Sequence, residues 1–361
     1  MNSRTRVLKA VAHEETDRVP FDYWARDDVT RRLMERMGAA DREDLLQKLN
    51  IDMRHIPVGE HHPGFEERKT GVLGGNSESS GQRFRMHGDG TFENPWGVVK
   101  RLGSGGLYEE WVRGPFSRDR DLDSFGWPGT DIFDSVEAIK SRVSAYGGRY
   151  ALMGRINLPF KMCWHMRGLE NFLCDMLLDP GYAAELISRL ALYEKKRGLR
   201  FVRAGVDIVG MYGDIAMQDR MLVKPNAWRA IEKPVLAEVF RSFKEENPEV
   251  LVFFHSDGDI TEVIPDLIEI GVNIINPIQP ECMDPVAVKE KYGDRITMHG
   301  TISIQKTLPK GTVHQVRREV RERIETCGKG GGLIICPSNL VQNDTPLENI
   351  EALYDISQRQ I

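Results

Sequence analysis

The sequence of 361 residues lacks the marks of several protein classes. Its five cysteines are scattered and form no Cys-x-x-Cys pair, which argues against a disulfide framework and suits a reducing compartment. No apolar run approaches the length of a membrane span, and the basic N-terminus is not followed by the apolar core of a signal peptide. We therefore expect a cytoplasmic protein without a membrane anchor.

Basic tracts and nucleotide-binding loops are also missing. The net charge is −5 and the isoelectric point is about 6.0, so we expect no nucleic-acid partner. A mildly acidic surface also disfavours unassisted binding to anionic membranes. No Gly-x-Gly-x-x-Gly motif follows an early strand, which weakens the case for a doubly wound dinucleotide-binding fold.

Eight apolar segments are typical of buried strands, and helical patterns separate most of them. They lie at 18–24, 51–58, 149–156, 206–213, 250–257, 272–279, 295–301 and 332–339. Strands that alternate with helices predict a parallel sheet. Eight such units predict an α/β fold, a single (β/α)8 TIM barrel over residues 1–361. The stretch 64–130 is rich in glycine and aromatic residues, and it predicts a β-rich insertion, a hairpin excursion over one barrel end.

Three of the intervening stretches show clear helical periodicity. Residues 260–268 place apolar side chains on one face, and Gly271 follows as a stop signal. Residues 313–324 repeat this pattern before Gly328. The third stretch, 225–248, begins with Pro225, which suits the first turn of a helix.

Catalytic groups of TIM barrels gather at the C-terminal ends of the strands. The most informative end is "VLVFFHSDGDI" at 250–260, where five apolar residues run into His255 and Asp257. These two side chains point the same way on an extended strand, and imidazole with carboxylate suits Zn²⁺ or a harder divalent ion. The other strand ends supply further polar and aromatic candidates: Tyr23, Trp24, Glu60, His61, His62, Arg155, Asn157, Tyr212, Asp214, Gln218, Asn276, Gln279, His299, Cys336 and Asn339.

Several of these residues also have an explanation that needs no ligand. Asp257 or, more readily, Asp259 is suited to cap the next helix, and Asp214 is suited to cap a turn. His299 is better explained as a hydrogen-bonded core histidine, and Cys336 as a small buried hydrophobic residue. The functional interpretation depends on the meeting of many polar residues at one end of the barrel.

Four stretches resemble the uroporphyrinogen decarboxylase superfamily. They are "RVLKAVAHEETDRVPFDYW", "GDIAMQDRMLVKPNAWRAIEKPVL", the segment from "HSDGDITEVIP" to "TISIQKTLPKGT", and "GGLIICPSNLVQNDTPLENIEALYD". The resemblance spans nearly the whole chain apart from 64–130, and it implies a TIM barrel. One branch of this superfamily decarboxylates uroporphyrinogen III without a cofactor. The other branch consists of zinc-containing methyltransferases that exchange methyl groups with a corrinoid protein.

The sequence resembles the methyltransferase branch more closely than the decarboxylases. The arginine-bearing loop of the decarboxylases is replaced by "DYWARDDVTRRL", where Arg26 is available, and their late histidine corresponds to Asn339. Methyltransferases that act on thiols carry His-x-Cys and a second cysteine. His255 is retained here, whereas Asp257 and Asn339 replace the two cysteines. Such a harder ligand set suits an ether or alcohol oxygen.

The resemblance therefore implies metal-assisted transfer of a methyl group from a small O-methyl donor to a corrinoid. The corrinoid would arrive on a separate partner protein, because the chain has no Asp-x-His-x-x-Gly signature. Zinc or another divalent ion is expected at His255 and Asp257, with Cys336 and Glu60 as further ligands and Asp214 as a third catalytic residue. The expected substrate-binding residues are Tyr23, Trp24, Tyr212, Gln218, Asn276, His299 and Asn339.

Two other functions are compatible with the sequence. A lyase acting on a tetrapyrrole or another carboxylated substrate would use Asp214 to stabilise a protonated pyrrole-like intermediate and Arg26 to hold the substrate. A non-catalytic barrel that binds a small molecule or a metal is the third interpretation, because the zinc motif is altered. A homodimer is compatible as well, since superfamily members are often dimers.

Overall fold

Two sheets organise the protein in the computed structural model, which describes residues 1–67, 83–103, 109–129 and 131–359. The strands are β1 (Met53–Ile56), β2 (Glu66–Glu67), β3 (Arg83–Met86), β4 (Phe92–Glu93), β5 (Val99–Leu102), β6 (Glu109–Arg113), β7 (Ala151–Asn157), β8 (Ile208–Tyr212), β9 (Leu251–His255), β10 (Ile274–Asn276), β11 (Thr297–His299) and β12 (Leu333–Ile334). Strands β1 and β7 to β12 form a parallel sheet in chain order, and β2 to β6 form an antiparallel sheet.

Helices alternate with the parallel strands, as an α/β fold requires. Their bounds are Ser3–Val11, Asp27–Met37, Arg42–Lys48, Val136–Ser144, Pro159–Arg167, Leu169–Leu178, Pro180–Ala204, Pro225–Ile231, Lys233–Glu246, Ile264–Glu269 after a 3₁₀ turn at Thr261–Val263, Pro285–Tyr292, Thr307–Lys310, Val313–Cys327 and Leu347–Arg359. The three predicted helical stretches are confirmed. Within the described residues, no helix is both long and apolar enough to cross a lipid bilayer.

Seven of the eight predicted strand segments contain a strand of the parallel sheet, and the first segment differs. Residues 18–24 pair only through a single-residue bridge, Phe21 with Ile335. The Phe21 carbonyl also accepts a hydrogen bond from the Asp52 amide, 2.9 Å away and next to β1. One short segment thus contacts both edges of the sheet, which is therefore curved. Pro20 lacks an amide donor, which limits regular pairing at this position.

The described part of 64–130 contains the antiparallel sheet β2 to β6 and packs on the helices that follow β7. Trp96 meets Tyr193 edge to face, with ring centres 4.9 Å apart. The indole of Trp111 donates to the carbonyl of His165 over 2.7 Å. Trp96 belongs to the same apolar cluster as the residues around the parallel sheet. The antiparallel sheet therefore lies beside the C-terminal ends of β7 and β8.

Close packing of the helix Pro180–Ala204 against β7 requires glycine at position 154. A Cβ atom placed there would lie 2.3 Å from the ring of Phe201. We expect Gly154→Ala to lower the free energy of unfolding by about 1–3 kcal/mol, because the ring or the helix must shift. Denaturant unfolding measures the change. Gly126→Ala is the control, since no atom lies within 4 Å of the added methyl group. Equal stabilities of the two variants would contradict this packing argument.

A buried carboxyl group lies where two helices meet. Glu232 has no exposed surface, and it separates the helices Pro225–Ile231 and Lys233–Glu246. Burial raises the pKa of Glu232 from its ordinary value of 4.5 to about 8, and a hydrogen bond from the Phe160 amide offsets only part of this shift. The folded protein therefore holds the neutral acid at neutral pH.

This raised pKa makes stability depend on pH in a definite direction. Between about 4.5 and 8 the folded state binds the Glu232 proton and the unfolded state releases it, so the free energy of unfolding falls as pH rises. We expect Glu232→Gln to flatten this decline, giving a variant that gains stability relative to wild type between pH 5 and pH 8. Urea unfolding at both pH values measures the effect. Parallel pH profiles of the two proteins would rule it out.

Candidate metal and active site

Three acidic and imidazole side chains converge where β8 and β9 end. His255 is the last residue of β9, Asp257 follows two residues later, and Asp214 lies two residues beyond β8. His255 Nε2 is 3.7 Å from Asp214 Oδ1 and 3.9 Å from Asp257 Oδ1. One ligand atom from each side chain lies within 4.8 Å of the others. Ligands of a tetrahedral zinc ion, with bonds of about 2.0–2.2 Å, are separated by about 3.5 Å. The arrangement therefore fits one divalent ion.

The two carboxylates differ in their surroundings. Asp214 Oδ2 accepts a hydrogen bond from Lys161 Nζ over 2.7 Å, and burial opposes its ionisation, but Lys161 and His255 outweigh burial and lower the pKa of Asp214. Asp257 Oδ2 accepts from Asn339 Nδ2 over 2.6 Å. Burial, joined by the charge of Asp214, raises the pKa of Asp257 despite the opposing effect of His255.

One carboxylate oxygen at this point has no hydrogen-bond donor. Asp257 Oδ1 is buried, and it has no hydrogen-bond partner among the described residues. A buried acceptor in this condition costs free energy unless a proton or a cation satisfies it. Asp257 Oδ1 faces His255 Nε2 and Asp214 Oδ1, so one cation placed among the three would satisfy all of them.

A chain of hydrogen bonds behind His255 fixes the protonation of its ring. Asp22 Oδ2 lies 3.1 Å from His299 Nε2, so that nitrogen carries a proton and donates it to the carboxylate. His299 Nδ1 then accepts from Asn276 Nδ2 over 2.7 Å. The remaining Asn276 Oδ1 accepts from His255 Nδ1, 2.5 Å away. In neutral His255 the proton therefore resides on Nδ1, and the lone pair of Nε2 faces Asp214 and Asp257.

Asp22 anchors this chain from a fully enclosed position. Its oxygens also contact His55 Nε2 at 3.1 Å and accept from the indole of Trp24 at 2.8 Å. The Asp22 side chain is 1% exposed. Burial opposes ionisation, but His55 and His299 hold the pKa of Asp22 well below its ordinary range. Burial conversely lowers the pKa of His299. This favours the neutral ring, with its proton on the nitrogen that faces Asp22.

Two predicted metal ligands do not reach the group at His255 and are corrected here. Cys336 lies with Asp22 and His299, in a second group whose ligand atoms fall within 4.8 Å of one another. Both ring nitrogens of His299 are already hydrogen-bonded. Burial raises the pKa of the Cys336 thiol well above its ordinary value, which favours the protonated thiol over the thiolate that binds a metal. Glu60 instead contacts His62 at 3.2 Å and Arg197 at 3.0 Å.

Three cavities meet at the candidate site. The inner cavity, about 190 Å³, is lined by Trp24, His55, Arg155, Tyr212, His255 and Asn339 among others. The side cavity, about 250 Å³, lies under the antiparallel sheet between Trp96, Lys100, Arg155, His165 and Tyr212. The outer cavity, about 400 Å³, opens between Trp164, Gln218, Asp257 and Asn339. His255, Asp214 and Asp257 therefore face space on more than one side.

The predicted substrate-binding residues divide into two groups. Trp24, Tyr212 and Asn339 line the inner cavity, and Gln218 lines the outer one. The other three line none of these three cavities: Tyr23, Asn276 and His299. Tyr23 is 2% exposed and its hydroxyl contacts Thr30, whereas Asn276 and His299 form the chain behind His255. The contacts of Asn276 and His299 point to support of the site, and substrate binding by the three residues stays a prediction.

Sequence reasoning missed the functional position of three side chains. Asp22 and His55 lie in predicted strands, but nothing local indicates that they meet. Lys161 is on the helix after β7, outside any strand end. Arg155 is among the strand-end candidates, a charged residue within the apolar run 151–156, but it is assigned no role from the sequence. Arg26, expected to hold the substrate of a lyase, instead pairs with Asp28 at 3.2 Å and does not line the inner cavity.

The family model described as Uroporphyrinogen decarboxylase (URO-D) matches residues 128–360. That range covers more than half of the chain. The chain belongs to the uroporphyrinogen decarboxylase family. The resemblance recognised in the sequence is thereby confirmed, and His255, Asp257 and Asp214 lie within the matched range. No curated protein matches the chain.

A solved methyltransferase structure has a fold similar to that of this chain. The methyltransferase from Methanosarcina mazei is similar over 99% of both chains, with a TM-score of 0.69 and 18% sequence identity. At this identity the likeness shows the fold. Two weaker matches add nothing further. An alpha-amylase from Geobacillus thermoleovorans has a TM-score of 0.42 and 9% identity over 92% of this chain and 71% of that chain. A sugar phosphate isomerase/epimerase from Parabacteroides distasonis has a TM-score of 0.38 and 11% identity over 96% of this chain and 97% of that chain.

The hydrogen bonds that connect Asp22 to His255 lead to a prediction for the affinity of the protein for Zn²⁺. We expect Asn276→Leu to weaken Zn²⁺ binding about 10–100-fold, the usual cost of losing a group that orients a metal ligand, because His255 Nδ1 loses its acceptor. Calorimetric titration with Zn²⁺ measures the affinity.

A second buried asparagine is the matched control for this substitution. Asn349 is 2% exposed and donates to the carbonyls of Leu308 and Gly311, outside the candidate site. Asn349→Leu should lower stability and leave the Zn²⁺ affinity unchanged. Equal Zn²⁺ affinities of the two variants would show that Asn276 does not orient His255.

Proposed function

We propose that the protein is a methyltransferase that moves a methyl group from a small O-methyl donor to a corrinoid carried by a separate protein. Its metal, zinc or another divalent ion, would be held by His255, Asp257 and Asp214. The observation that carries this proposal is the lone pair of His255 Nε2 directed at two carboxylates, one of which has an unsatisfied buried oxygen. A neutral imidazole and two carboxylates form a complete set of protein ligands for an open catalytic site.

The ligand chemistry supports oxygen as the donor atom. When bound, the ion supplies Lewis acidity that stabilises negative charge on the donor oxygen. The transfer breaks the bond between the methyl carbon and this oxygen, which keeps the electron pair, and the acceptor provides the pair for the new bond. Asn339 holds Asp257 in place, and Lys161 does the same for Asp214. Imidazole and carboxylate ligands are harder than thiolates and match oxygen better than sulfur.

The cavities leave room for a small donor and a larger, protein-borne acceptor on different sides of the site. Trp24 and Tyr212 offer apolar walls to the donor in the inner cavity, with ring centres 5.7 Å apart. The wide outer cavity reaches Asp257 and Asn339 from the other side, which suits the approach of a cofactor on a second protein. The similar fold of the Methanosarcina mazei methyltransferase agrees with this assignment.

We also propose that residues 18–24 take the eighth position of a (β/α)8 barrel, with 64–130 as an excursion within one domain. The bonds of Pro20, Phe21 and Asp22 to residues at both sheet edges support it. An experimental structure in which this segment leaves either edge would contradict the proposal. We further propose that the protein is cytoplasmic.

Substituting the imidazole ligand tests the proposed function directly. We expect His255→Ala to abolish Zn²⁺ binding and to reduce methyl transfer by more than the ~10–100-fold typical of outer groups. The assay follows methylation of free cob(I)alamin by methoxylated arenes in its absorption spectrum, beside elemental analysis of each protein.

His314→Ala is the control for this test, since His314 is exposed on the helix Val313–Cys327. That variant should keep both its metal and its activity. Full activity of metal-free His255→Ala protein would refute the metal mechanism. Release of carbon dioxide from uroporphyrinogen by the wild-type protein would favour the lyase instead.

A further inference from the structure

A cationic side chain in the cavities has no anionic partner. Arg155 projects from β7 and lines both the inner and the side cavity. Among the described residues, it forms no hydrogen bond and no ion pair, and its contact is with the ring of Tyr212, 4.2 Å from the guanidinium carbon. A guanidinium has five donors, and it stays charged at any physiological pH. Arg155 therefore offers a full set of donors to a ligand.

The acids near Arg155 are engaged elsewhere. Asp214 is paired with Lys161 at 2.7 Å. Glu194 accepts from the amide of Asn157 at 2.7 Å and lies 3.9 Å from the guanidinium of Arg197. Glu60 pairs with Arg197 and His62.

The other cations of the side cavity already donate hydrogen bonds to the protein, whereas Arg155 donates none to a described residue. Lys100 is paired with Glu109 at 2.9 Å, and Arg83 donates to the carbonyl of Glu60 at 2.6 Å. Arg155 is thus the cavity cation left for an incoming anion, within the part of the chain that the structure describes.

The position of Arg155 relative to His255 is set by Tyr212. The Tyr212 and His255 rings stack with centres 5.1 Å apart and planes inclined by 24°. The guanidinium carbon therefore lies no further from the imidazole centre than the sum of the two distances, 9.3 Å. The contact with the Tyr212 ring uses none of the guanidinium donors as hydrogen bonds, so they can form paired hydrogen bonds with a planar carboxylate.

The inner cavity, which both Arg155 and His255 line, suits an aromatic ring. The inner cavity of about 190 Å³ is somewhat larger than an apolar cavity of about 150 Å³ that admits benzene. Trp24 and Tyr212 line it, and aromatic walls favour stacking or edge contacts with an arene. A ligand with one ring would reach from Arg155 towards the carboxylates at the end of β9.

We infer that the ligand of the inner cavity is an aromatic carboxylate, and that the methyl donor is a methoxyarene bearing this group. Its carboxylate binds Arg155, and its methoxy oxygen lies beside His255, Asp257 and Asp214. The assignment of the methoxy group rests on the proposed function, whereas the recognition of a carboxylate by Arg155 does not. Arg155 is a binding and specificity-determining residue in this arrangement.

Binding of two simple probes tests the carboxylate half without any catalysis. We expect benzoate to bind the wild-type protein in calorimetric titration, and to bind Arg155→Met at least about 10-fold more weakly, because a charged paired interaction is lost. Benzyl alcohol should bind both proteins equally. Arg155→Lys should recover only part of the benzoate affinity, since an ammonium lacks the planar fork.

A distant arginine and a second anion complete the binding experiment. Arg203→Met is the matched control, because Arg203 is exposed, pairs with Glu246, and lies just before β8 at the opposite end of the sheet. That variant should bind benzoate as the wild type does. Equal benzoate affinity of Arg155→Met and wild type would overturn the inference, and so would tighter binding of phenylphosphonate than of benzoate.

Methyl transfer to cob(I)alamin separates this inference from the proposed function. We expect 4-methoxybenzoate to be a better donor than 4-methoxybenzyl alcohol, and Arg155→Met to remove the preference by raising KM for the acid. If neither donor is used but benzoate binding still needs Arg155, the proposed function fails and the carboxylate site stands. If both donors are used equally by both proteins, the carboxylate inference fails and methyl transfer stands.

Discussion

The carboxylate of Asp22 is the charge on which the arrangement of the site depends. It is enclosed by the sheet and satisfied by His55, His299 and Trp24, which come from separate parts of the chain. A buried charge is tolerated only when such partners surround it, and removing one side of a buried pair typically costs about 3–5 kcal/mol. The same contacts that keep Asp22 ionised therefore hold the irregular first segment against β1 and β11.

The effect of Asp22 reaches the cavity through hydrogen bonds of fixed direction. His299 donates to Asp22, Asn276 donates to His299, and His255 donates to Asn276. Each bond leaves the next group a single compatible role, so a charge buried in the core determines which nitrogen of His255 faces the carboxylates. On the other side, Asn339 and Lys161 hold Asp257 and Asp214. Each of the three candidate metal ligands, His255, Asp257 and Asp214, is thus held by a hydrogen bond to a neighbouring side chain.

Much of the fold follows from local sequence patterns, whereas the site follows from them only in part. Apolar runs and helix stop signals reveal the strands, because their periodicity is a local property. The pairing of His255 with Asp257 also follows, since two residues on an extended chain share a face. Cys336 shows the limit: it lies an odd number of residues before Asn339, and its side chain turns to Asp22. Long-range contacts such as that of Asp22 with His299 leave no local signal.

The large sequence separation between Asp22 and His299 affects the order in which the site forms during folding. Asp22 and His299 are 277 residues apart in the chain, and closing such a loop is slow relative to forming local structure. During synthesis, His255 emerges from the ribosome before the residue that sets its tautomer. A nascent or truncated chain that ends before Asn276 has the two carboxylates but lacks the partner of His255 Nδ1. The metal site proposed at His255 would therefore be completed only after these later residues have joined the fold.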